Sequence, residues 1–215
     1  MRENQTTIDV SIGHAPEKGW EGAKGGGLSE YAYNSTLIKP ALESALVQSS
    51  SLSARWWDAA DHPEWRREKE GNLLLLDRLR AMYRGETRPK IAIALHNNAS
   101  RNPRYGGFMV IYRQEKDGRE DLKSKRLAGL LCNELALALP GMKNRGVQGD
   151  QGDWVERNLA FTRWAHAHGT AGVILELGFL TCPGDVEVLR DPSTPAKVAG
   201  AVLAAVKAYR GENKT

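Results

Sequence analysis

Cysteine is nearly absent from these 215 residues. Cys132 and Cys182 stand far apart and outside any CxxC pattern. Two such residues build neither a disulfide framework nor a Cys-rich structural zinc site, and both are expected as buried or half-buried free thiols. No stretch approaches the ~20 consecutive apolar residues of a membrane helix, so no stable membrane insertion is expected. Between Met1 and the first apolar strand there is no long apolar run with a small-residue cleavage site. The chain as synthesised is therefore expected to be cytoplasmic. A strong charge of one sign is lacking as well: 30 basic residues face 26 acidic ones, giving a net charge of +4 and a pI near 9.1. That mild excess suits an anionic polymer, yet no nucleic-acid motif accompanies it, and no nucleic-acid partner is expected. No linker and no internal repeat divides the chain, which reads as one domain over 1–215.

What is present is an alternation of strands and helices. The strand candidates are Thr7 to His14, Leu52 to Trp57, Lys90 to His96, Gly107 to Tyr112, Asn144 to Gln148 and Gly172 to Leu177. Helical patterns run from Glu30 to about Val47, from Glu64 or Trp65 to Tyr83, from Leu122 to Leu139, over Gly184 to Arg190, and from Pro195 to Tyr209. Ser29 has the residue type and position of an N-cap, and Pro40 predicts a kink or break inside the first helix. The segment from Gly149 to Gly169 has no clear pattern. Strands alternating with helices imply an α/β fold: a twisted, mostly parallel sheet of about six strands flanked by helices on both faces.

The central stretch is Lys90-Ile91-Ala92-Ile93-Ala94-Leu95-His96-Asn97-Asn98-Ala99. It starts as an apolar strand of the doubly buried kind and ends in an imidazole and two carboxamides. In open α/β sheets, sites form at the carboxyl ends of strands. His14 follows Ile12-Gly13 at another strand end, and Glu176 interrupts the apolar run Ile174-Leu175-Glu176-Leu177. Neighbouring strands lie ~4.8 Å apart, so groups at adjacent ends converge. Glu30 opens a helix, where the dipole favours an ionised carboxylate. Two imidazoles and a carboxylate make a common catalytic zinc set with a fourth position for water. Glu176, outside that set and raised in proton affinity by burial, is then the natural base. The spacing is not the helical HExxH pattern. The plainer reading stands beside this one: His14 and His96 as strand-end histidines, and Glu176 paired with an arginine.

The order of these pieces resembles the zinc-dependent N-acetylmuramoyl-L-alanine amidases of the amidase 3 type. The likeness is carried by Ile12-Gly13-His14, Leu28-Ser29-Glu30 and Ala94-Leu95-His96-Asn97-Asn98-Ala99. It is carried further by Ser124-Lys125-Arg126-Leu127-Ala128 and, most specifically, by Ile174-Leu175-Glu176-Leu177-Gly178-Phe179-Leu180-Thr181-Cys182-Pro183. The resemblance implies that His14, Glu30 and His96 bind Zn2+ and that Glu176 is the catalytic glutamate. It implies hydrolysis of the amide between the lactyl group of N-acetylmuramic acid and the L-alanine of the stem peptide. Asn98 and Asn34 are candidates for substrate binding or for support of the metal shell. Departures from the family pattern fall at Ala15-Pro16, at Asn97, at Thr181-Cys182 and after Trp57, where the usual Thr-Arg ending is missing.

On that resemblance the partner is peptidoglycan and the protein a monomer without a separate wall-binding domain. A short, leaderless, basic amidase further resembles a phage or prophage endolysin, reaching the wall through a membrane-permeabilising partner. Another zinc hydrolase on the same fold, a carboxypeptidase or deacylase, is the alternative, as is a non-catalytic wall-binding module. His62, His166, His168 and the Arg101-Asn102-Pro103-Arg104 run are expected as solvated or groove residues. Trp154 and Trp164 are expected in packing or as a groove lining.

Overall fold

The computed structural model describes residues 5–62, 65, 72–84, 89–151 and 159–211. The chain opens with β1 (Thr6–Ile12), then a small hairpin of β2 (Lys24–Gly25) and β3 (Leu28–Ser29). Helical structure then runs without interruption through α1 (Glu30–Tyr33), a π-helical segment (Asn34–Ile38) and α2 (Lys39–Val47). There follow β4 (Leu52–Trp57), a 3₁₀ turn (Ala59–Asp61), α3 (Asn72–Tyr83), β5 (Ile91–Asn98), β6 (Phe108–Tyr112) and α4 (Leu122–Ala138). The last elements are β7 (Asn144–Gly149), α5 (Ala160–Ala167), β8 (Ala171–Phe179), α6 (Pro183–Arg190) and α7 (Thr194–Tyr209).

Six strands form one sheet in the order β4-β1-β5-β8-β6-β7. The first four are mutually parallel; β6 runs antiparallel to β8, and β7 parallel to β6. The expected mostly parallel sheet with helices on both faces is therefore present, with two reversed strands at one edge. Alternation along the strands divides the core. Ile8, Val10, Ile12, Ile91, Ile93 and Leu95 pack with Leu42, Leu127, Leu131 and Val202 on the α2, α4 and α7 side. Ala92, Ala94, Met109, Ile111 and Ile174 pack with Leu79 and Met82 of α3 and Phe161 and Ala165 of α5 on the other side. Among the described residues no helix is long and apolar enough to cross a membrane.

Several expectations are corrected. Pro40 does not end its helix, which continues through it as α2. The turn before it widens, with the Lys39 N–H donating to the Asn34 carbonyl five residues back. That π turn shifts the ladder by one residue where proline has no N–H to offer. Ser29 occupies the N-cap position, but its side chain makes no capping bond. The Glu30 and Tyr31 N–H groups instead donate to the Ala23 and Glu21 carbonyls at 2.9 and 3.0 Å. The central strand continues two residues beyond His96, because Asn98 still pairs with Phe179 of β8 across a bulge. Of the expected beginnings of α3, Glu64 lies outside the described residues, whereas Trp65 is in a bend, its N–H donating to the His62 carbonyl at 3.1 Å, and is not helical. Most of the Arg84 to Pro89 turn and Trp154 also lie outside the described residues. The patternless Gly149 to Gly169 stretch contains α5.

Candidate active site

β1, β5 and β8 lie side by side and parallel, so their carboxyl ends open on one edge of the sheet. At the end of β1, the Gly13 N–H donates to the Leu95 carbonyl at 3.0 Å. A Cβ at Gly13 would overlap the His96 imidazole. The next residue, His14, has φ 64°, the one positive φ outside glycine among the described residues. That left-handed turn throws the chain away from the strand and lays the imidazole over the edge. The following loop returns through Gly22, whose φ is 75°; a Cβ there would overlap both the Glu30 carboxylate and the His14 ring. Glycine is needed at both positions for close approach, and at Gly22 for the backbone conformation too.

Glu30 is the first residue of α1 and only 2% exposed. Its Oε1 accepts the Asn97 N–H at 3.0 Å and lies 2.8 Å from His96 Nδ1. Its Oε2 accepts the Ala23 N–H at 2.7 Å and lies 3.1 Å from His14 Nε2. Each oxygen thus has one backbone donor that fixes it and one imidazole beside it. Burial opposes charge on Glu30, but the hydrogen bonds to His14 and His96 overcome it and hold the carboxyl far below the usual range. Burial likewise pulls His96 down, and the Glu30 carboxylate more than offsets it, leaving the imidazole raised. The rings of His14 and His96 stand 5.3 Å apart, nearly edge to face.

The donor atoms of His14, Glu30 and His96 all lie within 4.8 Å of one another. An ionised carboxylate anchored by two backbone N–H groups between two imidazoles fits a divalent ion of intermediate softness. Outer hydrogen bonds of this kind orient metal ligands.

Glu176 stands in register with His96 on β5 and with Met109 on β6. Register pairs project to the same face, so its carboxyl lies on the His96 side. Burial, with a smaller contribution from Glu30 and against the opposing pull of His96, raises its pKa to about 7. Its Oε2 is buried and has no hydrogen-bond partner among the described residues. Among the described residues no arginine pairs with it, contrary to the plainer expectation. A cavity of about 520 Å³ contains His14, Glu30, His96, Asn98 and Glu176, walled by Leu75, Leu159, Phe161 and Ile174. A groove of about 590 Å³ between Gly26 and α6 holds none of the candidate groups, so volume alone does not locate the chemistry.

The other expected residues separate. Asn98 is half-buried on the cavity wall, its Oδ1 accepting the Ala99 N–H at 3.2 Å. Asn34 is fully buried, and its amide donates to the Glu30 carbonyl at 3.1 Å and to Asn97 Oδ1 at 2.9 Å. That burial places it behind the site, and substrate contact is not open to it. His62 is not a solvated loop residue: it stacks between Trp57 and Trp65, at 6.0 and 4.1 Å. His166 lies 3.4 Å from Asp121, and His168 stacks on Tyr83 at 4.6 Å, so neither joins the cluster. Residues 101–104 are exposed. Cys132 and Cys182 are free, buried and half-buried respectively.

Asn97 has a role that sequence reasoning missed. Its N–H anchors Glu30, its Nδ2 donates to the Leu177 carbonyl, and its Oδ1 takes the Asn34 amide. Gly13, Gly22 and Arg78 were missed as well. The pairing Gly-His and the glycine-rich loop were the available signals for the first two; nothing singled out Arg78 among the arginines.

A family profile described as N-acetylmuramoyl-L-alanine amidase matches residues 8–208. No curated protein sequence matches the chain. Among solved structures, the CwlD amidase of Clostridioides difficile, in complex with the GerS lipoprotein, superposes with a TM-score of 0.75 at 19% identity. That match covers 97% of this chain and all of the other. The catalytic domain of the CD27L endolysin targeting the same species gives 0.69 at 20% identity, over 98% of this chain and all of that one. The catalytic domain of the amidase CwlV from Bacillus (Paenibacillus) polymyxa var. colistinus gives 0.66 at 20%, over 97% and 100%.

Proposed function

This chain belongs to the N-acetylmuramoyl-L-alanine amidase family of the amidase 3 type, and on that premise we propose that it is a zinc-dependent hydrolase. Its substrate is the amide joining the lactyl group of N-acetylmuramic acid to L-alanine in peptidoglycan. His14, Glu30 and His96 would hold the ion. Zinc, when bound, supplies Lewis acidity toward the amide carbonyl and toward the attacking water.

The rest falls to the chain itself. Glu176 accepts the proton of the attacking water on Oε2, the carboxylate oxygen that has no hydrogen-bond partner among the described residues. A carboxyl raised to about 7 exchanges protons readily near neutral pH, so the same group then returns the proton to the departing amine. Glu30, ionised throughout, keeps its two oxygens fixed by the Ala23 and Asn97 N–H groups. Leu75, Phe161 and Ile174 line the apolar side of the cavity and limit the water around Glu176. Asn98, on the rim, is the candidate to hydrogen-bond the substrate.

The observation that carries this reading is the in-register pairing of Glu176 with a ligand-type histidine beside the three-donor cluster. The test is zinc content together with peptidoglycan digestion. Glu176→Gln is expected to keep its metal and to lose roughly 10²–10⁴-fold in turnover. The products must include a new L-alanine amino terminus, which separates an amidase from a carboxypeptidase on the same fold. Digestion by the variant at the parent rate would sink the mechanism. We also propose action as an endolysin, with access to the wall supplied by a membrane-permeabilising partner. Coexpression with and without such a partner tests this by whether the culture lyses.

A further inference from the structure

Behind the cluster lies a buried guanidinium. Arg78, midway along α3, is 3% exposed and borders the same cavity as His14, Glu30, His96 and Glu176. Its Nη2 donates to the His14 carbonyl at 2.8 Å; its Nη1 donates to the Ser11 hydroxyl at 3.2 Å and to the Ile12 carbonyl. Trp65 lies 5.5 Å from the guanidinium carbon. Nε has no hydrogen-bond partner among the described residues. Every hydrogen bond that Arg78 makes among the described residues therefore ends on a neutral oxygen. Burial lowers its pKa to about 10, which leaves it charged at neutral pH.

Among the described residues no carboxylate is bonded to this buried cation, so its desolvation is poorly offset, and an apolar side chain would fill the space at less cost. What it contacts explains its presence. The Ile12 and His14 carbonyls bound the two residues, Gly13 and His14, at which the chain leaves β1. His14 is held there in the left-handed conformation, which crowds the Cβ of an L-residue against its own backbone. A planar fork reaches two carbonyl oxygens in fixed relation, which a lysine ammonium cannot do.

We infer that Arg78 is a positioning residue of the metal site: its clamp on the Ile12 and His14 carbonyls holds His14 in the turn that delivers Nε2 to Glu30. This rests on the reading of His14, Glu30 and His96 as metal ligands. It assigns to α3, which carries no ligand, the task of presetting one.

The test uses the full chain with Arg78→Lys and Arg78→Gln, and Ile111→Val as a core control on the same sheet face. Three quantities are read: the zinc dissociation constant by chelator competition, the visible spectrum of the Co2+-loaded protein, and thermal unfolding of the metal-free protein. Both Arg78 variants are expected to fold, to bind zinc roughly 10–100-fold more weakly, and to show a shifted cobalt spectrum. Ile111→Val is expected to lower the unfolding temperature without moving either metal readout. The inference is overturned if the Arg78 variants bind zinc as tightly as the parent, if Ile111→Val weakens binding equally, or if neither Arg78 variant folds. A His14→Ala arm keeps the premise separate: zinc retained there overturns the ligand assignment itself, whatever Arg78 does.

Discussion

A methyl group at Gly13 has nowhere to go, because the His96 imidazole already fills that space. Gly13→Ala is expected to leave the circular dichroism spectrum unchanged and to reduce bound zinc well below one equivalent, measured by atomic absorption. Glu176 gives a second prediction at this scale. Its folded pKa of about 7 lies well above the ordinary glutamate value of 4.5, so the folded state keeps a proton that the unfolded chain releases. Stability from this group is complete below pH 4.5 and is lost as pH rises toward 7. In the metal-free protein, Glu176→Gln should therefore gain on the parent over that window. The gain is on the order of 1–2 kcal/mol, allowing for solvent screening of a half-buried group; urea unfolding at pH 4.5 and pH 7 checks it. His14, Glu30, His96 and Glu176 were singled out in the sequence by the order of motifs that resembles the amidase family; their place at the ends of apolar runs left the plainer strand-end reading open. Gly13, Gly22 and Arg78 were not singled out. Their importance lies in a positive φ, a missing Cβ and a pair of carbonyls that only the folded chain brings together.

At the level of elements, most strands and helices were legible from periodicity, and the departures have local causes. Direction was not legible for β6 and β7, since an apolar strand reads the same whichever way it runs. Pro40 was read by its missing N–H alone, and the π turn that accommodates it depends on carbonyls upstream. Asn97 joins three elements: β5 to β8 through Leu177, and both to the π segment through Asn34. Asn97→Ala removes those side-chain bonds and leaves the Asn34 amide buried with one partner fewer, while the backbone N–H still anchors Glu30. The expected result is a loss of about 1–3 kcal/mol in urea unfolding with zinc stoichiometry retained. Loss of the metal as well would mean that Asn97 does more than join the elements.

For the whole molecule, the proposed ligands come from three separated parts of the chain: the exit of β1, the start of α1 and the end of β5. An ion held by all three stabilises only the folded state, by RT ln(1 + [L]/Kd). Zinc should therefore raise the unfolding temperature of the parent in proportion to the logarithm of its concentration, and leave His14→Ala unmoved; differential scanning calorimetry decides. A pI near 9.1 adds that sedimentation with anionic cell walls should weaken as sodium chloride rises through a few tenths molar.

The parallel pairing of β1 with β5 has a kinetic side. These strands are neighbours in the sheet but are separated in sequence, among the described residues, by the hairpin, α1, the π segment, α2, β4, the 3₁₀ turn and α3. The turn at His14 meets His96 only after that long crossover has closed. The ion consequently has no complete binding site early in folding. Zinc added to the refolding buffer should leave the refolding rate nearly unchanged and should slow unfolding, since its contacts form after the transition state.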